Sequence, residues 1–281
     1  MKTTAKSVFL LFLFLPGQST AAKEITLLYR PETGKTYHYS GELEIHQELE
    51  NLISKNPAVN VFSAAVSFDL EVATENSHYV EKYTLKSATI TTDTGGIIGD
   101  MSSETAKLIG KEWEVPVSST GAVIGMDSEL SYPYTLIPLR AQAGTSGYRR
   151  FFPHLPEKTI KIGEDFTTKS NTRYPFLDMT INVKTVIKYK LEKIPERGLG
   201  MFSFSANVTS ASHYPERKRI MTESEISGLG TGTFLYNAEK CLVESFAADF
   251  SFDSDVFSRN PSSGEQRLKI KQTLKVSVLR R

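Results

Sequence analysis

Two stretches of this chain gather side chains that could do chemistry. Between Tyr37 and Leu49, the residues His38, Glu42, Glu44, His46 and Glu48 alternate with apolar neighbours. Residues two apart on an extended strand project from one face about 7 Å apart, so Glu44, His46 and Glu48 offer nitrogen and oxygen ligands to a divalent metal. One flat strand does not close a coordination sphere, and the sequence supplies no second cluster, so a solvated acidic face is expected, with no metal and no cofactor. The second stretch, Asp249, Asp253 and Asp255, lacks the glycine turn of a calcium loop.

Nucleophilic catalysis needs a Ser or Cys beside a base that an acid orients. His78, His154 and His213 stand apart among aromatic and proline residues, and no G-x-S-x-G occurs. Cys241, the single cysteine, follows Lys240, which would lower its pKa slightly. It precedes Leu242 and Val243 in what reads as the return strand of a hairpin, so a packed structural thiol is expected. Gly228, Gly230 and Gly232 are spaced closely enough to bring backbone amides to an anion, but a phosphate loop needs a helix after it. Thr233 to Tyr236 reads as strand, so hairpin or bulge glycines are expected instead. The basic run Arg217–Arg219, Arg280–Arg281 and the lysines of the last strand could meet phospholipid headgroups. No set of acid, base and nucleophile converges, and the expected protein is not an enzyme.

The elements that must carry these residues are strands. From Tyr37 to Leu49 the odd positions are mostly apolar and the even ones polar. Val66–Val72, Ile181–Leu191, Phe246–Phe252 and Leu268–Val278 repeat that period of two. One wet face and one dry face indicate antiparallel sheet, because parallel strands covered on both faces read as unbroken apolar runs. Helical signals are few. Asp100 or Ser102 would cap a short helix near 102–109 that Gly110 stops, and a second helix is expected around Thr135–Ala143. The expected fold is mainly β, a large curved antiparallel sheet or open barrel built from two related halves, with one or two short helices.

Residues 23–145 form the first expected β-rich half, 146–156 a connector and 157–281 the second half. Arg30–Tyr37 and Lys161–Phe166 share a glycine turn, an aromatic and a following alternating strand. Trp113–Ile124 and Phe234–Glu244 each read as strand, turn and strand. Charge is split between the halves: residues 23–150 hold 11 Lys+Arg against 17 Asp+Glu, and residues 151–281 hold 20 against 15. Such a split could steer an oriented partner, although two separately solvated faces explain it as well.

The first 22 residues read as a signal peptide. Lys2 and Lys6 precede the apolar run Val8–Leu15, Pro16 and Gly17 end it, and Thr20-Ala21-Ala22 offers a cleavage site. No later run approaches the roughly 18 apolar residues of a transmembrane helix. No cysteine follows the run to be acylated. A lone cysteine excludes an intramolecular disulfide and favours a bacterial envelope compartment. The expectation is therefore an exported protein, periplasmic or secreted and soluble after cleavage.

Behind that signal, LPEKTIKIGEDF at Leu155–Phe166 and GTGTFLYNAEKCLVESFAADF at Gly230–Phe250 resemble an uncharacterised family of exported bacterial two-repeat β-proteins and lipoproteins. The resemblance spans most of the chain after the signal, and the family supplies no catalytic residues to place here. The long one-faced strands are also similar to the open barrel of periplasmic lipoprotein carriers and lipid-binding lipoproteins. That resemblance implies a sheet whose concave side holds acyl chains. The expected function is a non-catalytic binding protein holding a lipid or other apolar ligand, with Tyr37, Tyr39, Phe68, Phe202, Phe204, Phe250 and Phe252 as the lining. The alternative is an envelope scaffold or protein-interaction module with a protein partner. Nucleic acid is not an expected partner of an exported chain.

Overall fold

The computed structural model describes residues 23–51, 58–121, 124, 155–176, 179–213, 221–260 and 264–281. Among them are thirteen strands and one short helix. In chain order these are β1 (Glu24–Leu27), β2 (Thr36–Asn51), β3 (Ala58–Glu75), β4 (His78–Thr94), β5 (Ile97–Asp100), α1 (Ser102–Ala106), β6 (Glu112–Val117), β7 (Lys158–Lys161), β8 (Asp165–Phe176), β9 (Met179–Glu196), β10 (Leu199–His213), β11 (Met221–Asn237), β12 (Leu242–Asn260) and β13 (Gly264–Arg280). Strands of 15 to 19 residues run about 50–60 Å at 3.3 Å per residue.

Every pairing is antiparallel. The main sheet runs β5-β4-β3-β2-β13-β12-β11-β10-β9-β8, and β6 lies along β4 beside β5. Within the main sheet each half of the chain is a meander, and the first meander strand of one half, β2, pairs with the last strand of the other, β13. The sheet is mainly β in the expected manner and does not close into a barrel.

It does curl. β4 and β11 are five sheet steps apart, about 24 Å if the sheet were flat. Yet consecutive residues reach both strands: the Tyr236 hydroxyl donates to Leu28 O at 2.6 Å and accepts from Leu28 N at 3.0 Å, while the Tyr29 hydroxyl donates to Glu81. The sheet therefore wraps around the small ribbon formed by β1 and β7, which pair from Glu24↔Lys161 to Leu27↔Lys158. Ile25, Leu27 and Ile160 of that ribbon are buried in one apolar cluster with residues from β2, β3, β4, β6 and β8 through β13. The core sits at this end of the strands, and the ribbon seals it.

Glu81 is 1% exposed at the sealed end. Its carboxylate accepts from Tyr29 and, at 2.6 Å, from Tyr83. A buried carboxylate needs such donors, and here they also fasten the segment after β1 to β4.

Each half opens with the same turn. Gly34 (φ 74°) and Gly163 (φ 85°) sit in the left-handed region where a Cβ is strained. Their amides donate to Val72 O on β3 and Leu191 O on β9, 2.9 and 2.7 Å away, just before β2 and β8 begin.

The predicted helix is present but short. It runs from Ser102 to Ala106, its N-cap is Met101 with no side-chain cap, and a turn over Lys107–Gly110 replaces the expected last residues. Neither Asp100 nor Ser102 is the N-cap residue. Gly110 adopts φ 80° as its stop signal implied, and its amide donates to Leu85 O. The helix expected around Thr135–Ala143 lies outside the described residues, as does the connector up to His154. Phe234–Glu244 is the hairpin end of β11 and β12, with Asn237 Oδ1 accepting from the amides of Glu239 and Lys240. Trp113–Ile124 contains β6, which pairs with β4; Ala122 and Val123 lie outside the described residues.

A candidate ligand face with an amide row

The face that curls around β1 and β7 is apolar over its first three rows. Because register fixes which side chains stand opposite one another, its rows can be followed across the strands. The row nearest the seal contains Val66, Gly41, Val278, Phe246, Phe234 and Phe202. The next contains Ala64, Leu43, Val276, Ala248, Gly232, Phe204 and Tyr189. A third contains Phe62, Ile45, Leu274, Phe250, Gly230, Ala206 and Ile187. A fourth changes character: Asn60, Gln47 and Gln272 precede Phe252, Gly228 and Val208. Beyond it stand Leu49, Ile270, Ser254, Ile226 and Ser210.

Exposure rises along this series. Near the seal, Phe68, Phe202 and Phe234 are 1%, 0% and 2% exposed. Further out, Phe62, Phe250, Phe252 and Ile187 are half-buried, although Ile45, Leu274, Ile270 and Val208 between them remain buried. The seven residues expected to line a pocket divide along this gradient. Tyr37, Tyr39, Phe68, Phe202 and Phe204 belong to the sealed cluster. There, Tyr39 stacks on Phe68 with ring centres 5.4 Å apart, and Phe202 stacks on Phe234 at 4.7 Å. The Tyr39 hydroxyl donates to Val243 O at 3.0 Å. Phe250 and Phe252 lie further out, stacked at 5.9 Å, on the part of the face that solvent reaches. Sequence reasoning missed Phe62, Ile45 and Gln47, although their period-two positions carried the signal.

The glycines are not hairpin or bulge residues. Gly228, Gly230 and Gly232 lie inside β11 in unbroken register with both neighbours, and the one irregularity of the β11–β12 pairing falls later, between Leu235 and Tyr236. They are glycines because rings lie over them. A Cβ on Gly230 would stand 2.2 Å from Phe250 Cδ1, and one on Gly228 would stand 2.4 Å from Phe252 Cδ1. One on Gly232 would meet Ala247 O at 2.3 Å and Phe204 Cε1 at 2.5 Å. Strand continues on both sides of them, so no helix follows to complete a phosphate loop.

The opposite face is charged, and there the register explains the carboxylates. Lys269 of β13 stands between Glu50 of β2 and Asp255 of β12. Lys271 stands between Glu48 and Asp253, and Lys275 between Glu44 and Asp249. The acidic stretches considered as metal sites are thus the two flanks of a lysine column, and no group of three metal-ligating residues occurs among the described residues. On the β2 side of this column, carboxylates of the acidic half meet lysines of the basic one. His38 Nδ1 lies 2.6 Å from Asp69, which also pairs with Lys86 at 3.0 Å. Burial pushes the Asp69 carboxyl up, but the bonds from His38 and Lys86 outweigh it and hold the group below the usual carboxylate range. Arg267 holds Asp255 down in the same way, through bonds from Nε at 2.8 and 2.9 Å. Arg280 pairs with Glu244 at 2.5 Å. The basic run Arg217–Arg219 lies outside the described residues.

Cys241 ends the β11–β12 turn and does not stand in the return strand, which begins at Leu242. It has φ 52°, and its thiol donates to Ala238 O at 3.4 Å. Burial raises the neighbouring Tyr236 phenol well above its ordinary value.

No family model and no curated protein matches the chain. Among solved structures, it is similar to OccK11 (OpdR) of Pseudomonas aeruginosa over 90% of this chain and 98% of that one, at 6% identity and a TM-score of 0.26. OccK5 (OpdH) of the same organism covers 90% and 100%, at 7% identity and a TM-score of 0.28. OmpT, an outer membrane protein of Vibrio cholerae, covers 87% and 100% at 7% identity and 0.18. TM-scores this low give the likeness no weight. No helix among the described residues is long and apolar enough to cross a membrane. A membrane barrel turns apolar residues outward to lipid, whereas here the outward face carries the lysine column and its carboxylates.

Proposed function

We propose that this is a non-catalytic, exported binding protein, periplasmic or secreted, that holds a lipid or other apolar ligand against the concave face of its curled sheet. The observation that carries this reading is the exposure gradient along one mostly apolar face. Phe62, Phe250 and Phe252 stay half-buried beyond a sealed aromatic core, while the lysine column and its carboxylates lie on the other side. A face needed only for packing would be covered along its whole length, since leaving large apolar groups in water forfeits about 25 cal/mol for each Å². Export follows from the signal-like first 22 residues. A duplicated origin of the halves is supported by the matching turns at Gly34 and Gly163.

Protein purified from its own host and kept out of detergent should release a stoichiometric apolar compound on organic extraction, with a matching mass shift in native mass spectrometry. An environment-sensitive apolar dye should bind the extracted protein and lose affinity in Phe252→Asp. Absence of both extracted compound and dye binding would refute the reading.

The alternative, an envelope scaffold or interaction module, rests on β8, whose pairing among the described residues is with β9 alone. An unpaired edge can accept a strand from a partner. A single stoichiometric protein retained in pull-downs, with no extractable ligand, would favour it.

A further inference from the structure

Resting on the proposal that the concave face takes an apolar ligand, we infer that this ligand is an amphiphile with an uncharged polar group that both donates and accepts hydrogen bonds, such as a hydroxyl or an amide, held by Gln47 and Asn60. The two side chains stand directly opposite on β2 and β3. Asn60 Nδ2 donates to Gln47 Oε1 at 3.4 Å, which leaves Gln47 Nε2 and Asn60 Oδ1 buried with no partner. Gln47 is 7% exposed. Exchanging oxygen and nitrogen in both amides swaps the residues' roles but again leaves one free donor and one free acceptor.

Their surroundings make those two atoms informative. The row on one side is Phe62, Ile45, Leu274 and Phe250, and the row on the other includes Leu49 and Ile270. A polar atom left unpaired in such company is costly, and native structures leave few of them. Gln272, opposite Gln47 on β13, extends the amide row. Ser210 Oγ, one row further along the same face on β10, is a third buried atom without a partner.

Charge on the ligand is disfavoured by what the face lacks. From Gly41 to Leu49 on β2, and at the positions opposite on β3, β13, β12, β11 and β10, every inward residue of the described rows is uncharged. A carboxylate or ammonium brought there would lose its hydration with no counter-ion to replace it. A hydroxyl or amide loses far less and finds both its partners.

The test uses four compounds of one chain length, three with a head and one without: monododecanoylglycerol, dodecanoate, dodecyltrimethylammonium and dodecane. Each displaces a bound apolar dye from the extracted mature protein, below its micelle concentration. The glyceride should bind at least about tenfold tighter than dodecane and tighter than either ion, tenfold being one such step on the affinity scale. The Gln47→Leu/Asn60→Leu double variant should abolish the glyceride's advantage while dodecane binds as well or better. Equal affinity for glyceride and dodecane, stronger binding of dodecanoate, or an unchanged preference in the variant overturns the inference while leaving the binding function intact. If none of the four binds, the binding function itself fails. Should the double variant not fold by circular dichroism, Gln47→Met, close in shape, carries the same expectation with a smaller loss.

Discussion

Gly230→Ala tests whether the curled sheet is packed as described, because two ordinary effects predict opposite signs. In a strand interior alanine normally gains about 0.5–1 kcal/mol over glycine through lower chain entropy. Here the new Cβ would stand 2.2 Å from Phe250 Cδ1 and 2.3 Å from Cε1, so the ring must leave its place over the backbone. Overpacking of this kind costs about 1–3 kcal/mol, which outweighs the gain and leaves Gly230→Ala destabilised by about 1–2 kcal/mol. Phe250→Ala, which removes a half-buried ring, should cost about 2 kcal/mol. In the double variant the obstacle is gone and alanine recovers its advantage. It should then be more stable than Phe250→Ala alone by about 0.5–1 kcal/mol, a coupling near 2 kcal/mol in the double-mutant cycle. Urea unfolding of the four proteins measures every term. If Gly230→Ala stabilises the protein equally in both backgrounds, the Phe250 ring does not lie on the glycine.

Lys271→Glu places a third carboxylate between Glu48 and Asp253 and should lower stability by about 1 kcal/mol; the loss should shrink as salt is added. Asp69 has a lowered folded pKa, so its contribution is present above the ordinary carboxylate value and disappears as pH falls through the lowered one. Denaturation between pH 3 and 7 should show Asp69→Asn weaker at neutral pH, with a flatter acid limb than the parent. Tyr29→Phe removes one of the donors to buried Glu81 and should cost about 1–3 kcal/mol, with faster hydrogen exchange in β1 as the local signature. Cys241→Gly relieves a side chain held at φ 52° and should raise the unfolding free energy by about 0.5–1 kcal/mol; a lower value would show that the thiol's contact with Ala238 matters more than the backbone.

The strands were legible because one-sided burial writes itself as a period of two. Tyr37–Leu49, Phe246–Phe252 and Leu268–Val278 fall inside β2, β12 and β13 with the expected faces inward. The purpose of the polar residues was harder to read, since their meaning depends on a partner far away in the chain. Glu44, Glu48, Asp249 and Asp253 looked like two candidate metal sites, and only the β2–β13 and β12–β13 registers put lysines between them. The glycines of β11 carried no sign that Phe250 and Phe252 lie over them, because those rings come from the next strand.

The antiparallel character of the sheet, the turns at Gly34 and Gly163, and the dry side of β2, β3, β9, β12 and β13 are legible in the sequence alone. These are local consequences of side-chain alternation and backbone sterics. Tertiary structure decided how the strands are ordered, since β2 meets β13 across more than two hundred residues of chain. It also decided how far solvent follows the apolar face. That face is sealed where β1 and β7 fill the curl, and it reaches half-buried rings and the half-paired amides of Gln47 and Asn60 where they do not. Sheet curvature and ribbon position are sums over many pairings, and no single stretch of sequence contains them.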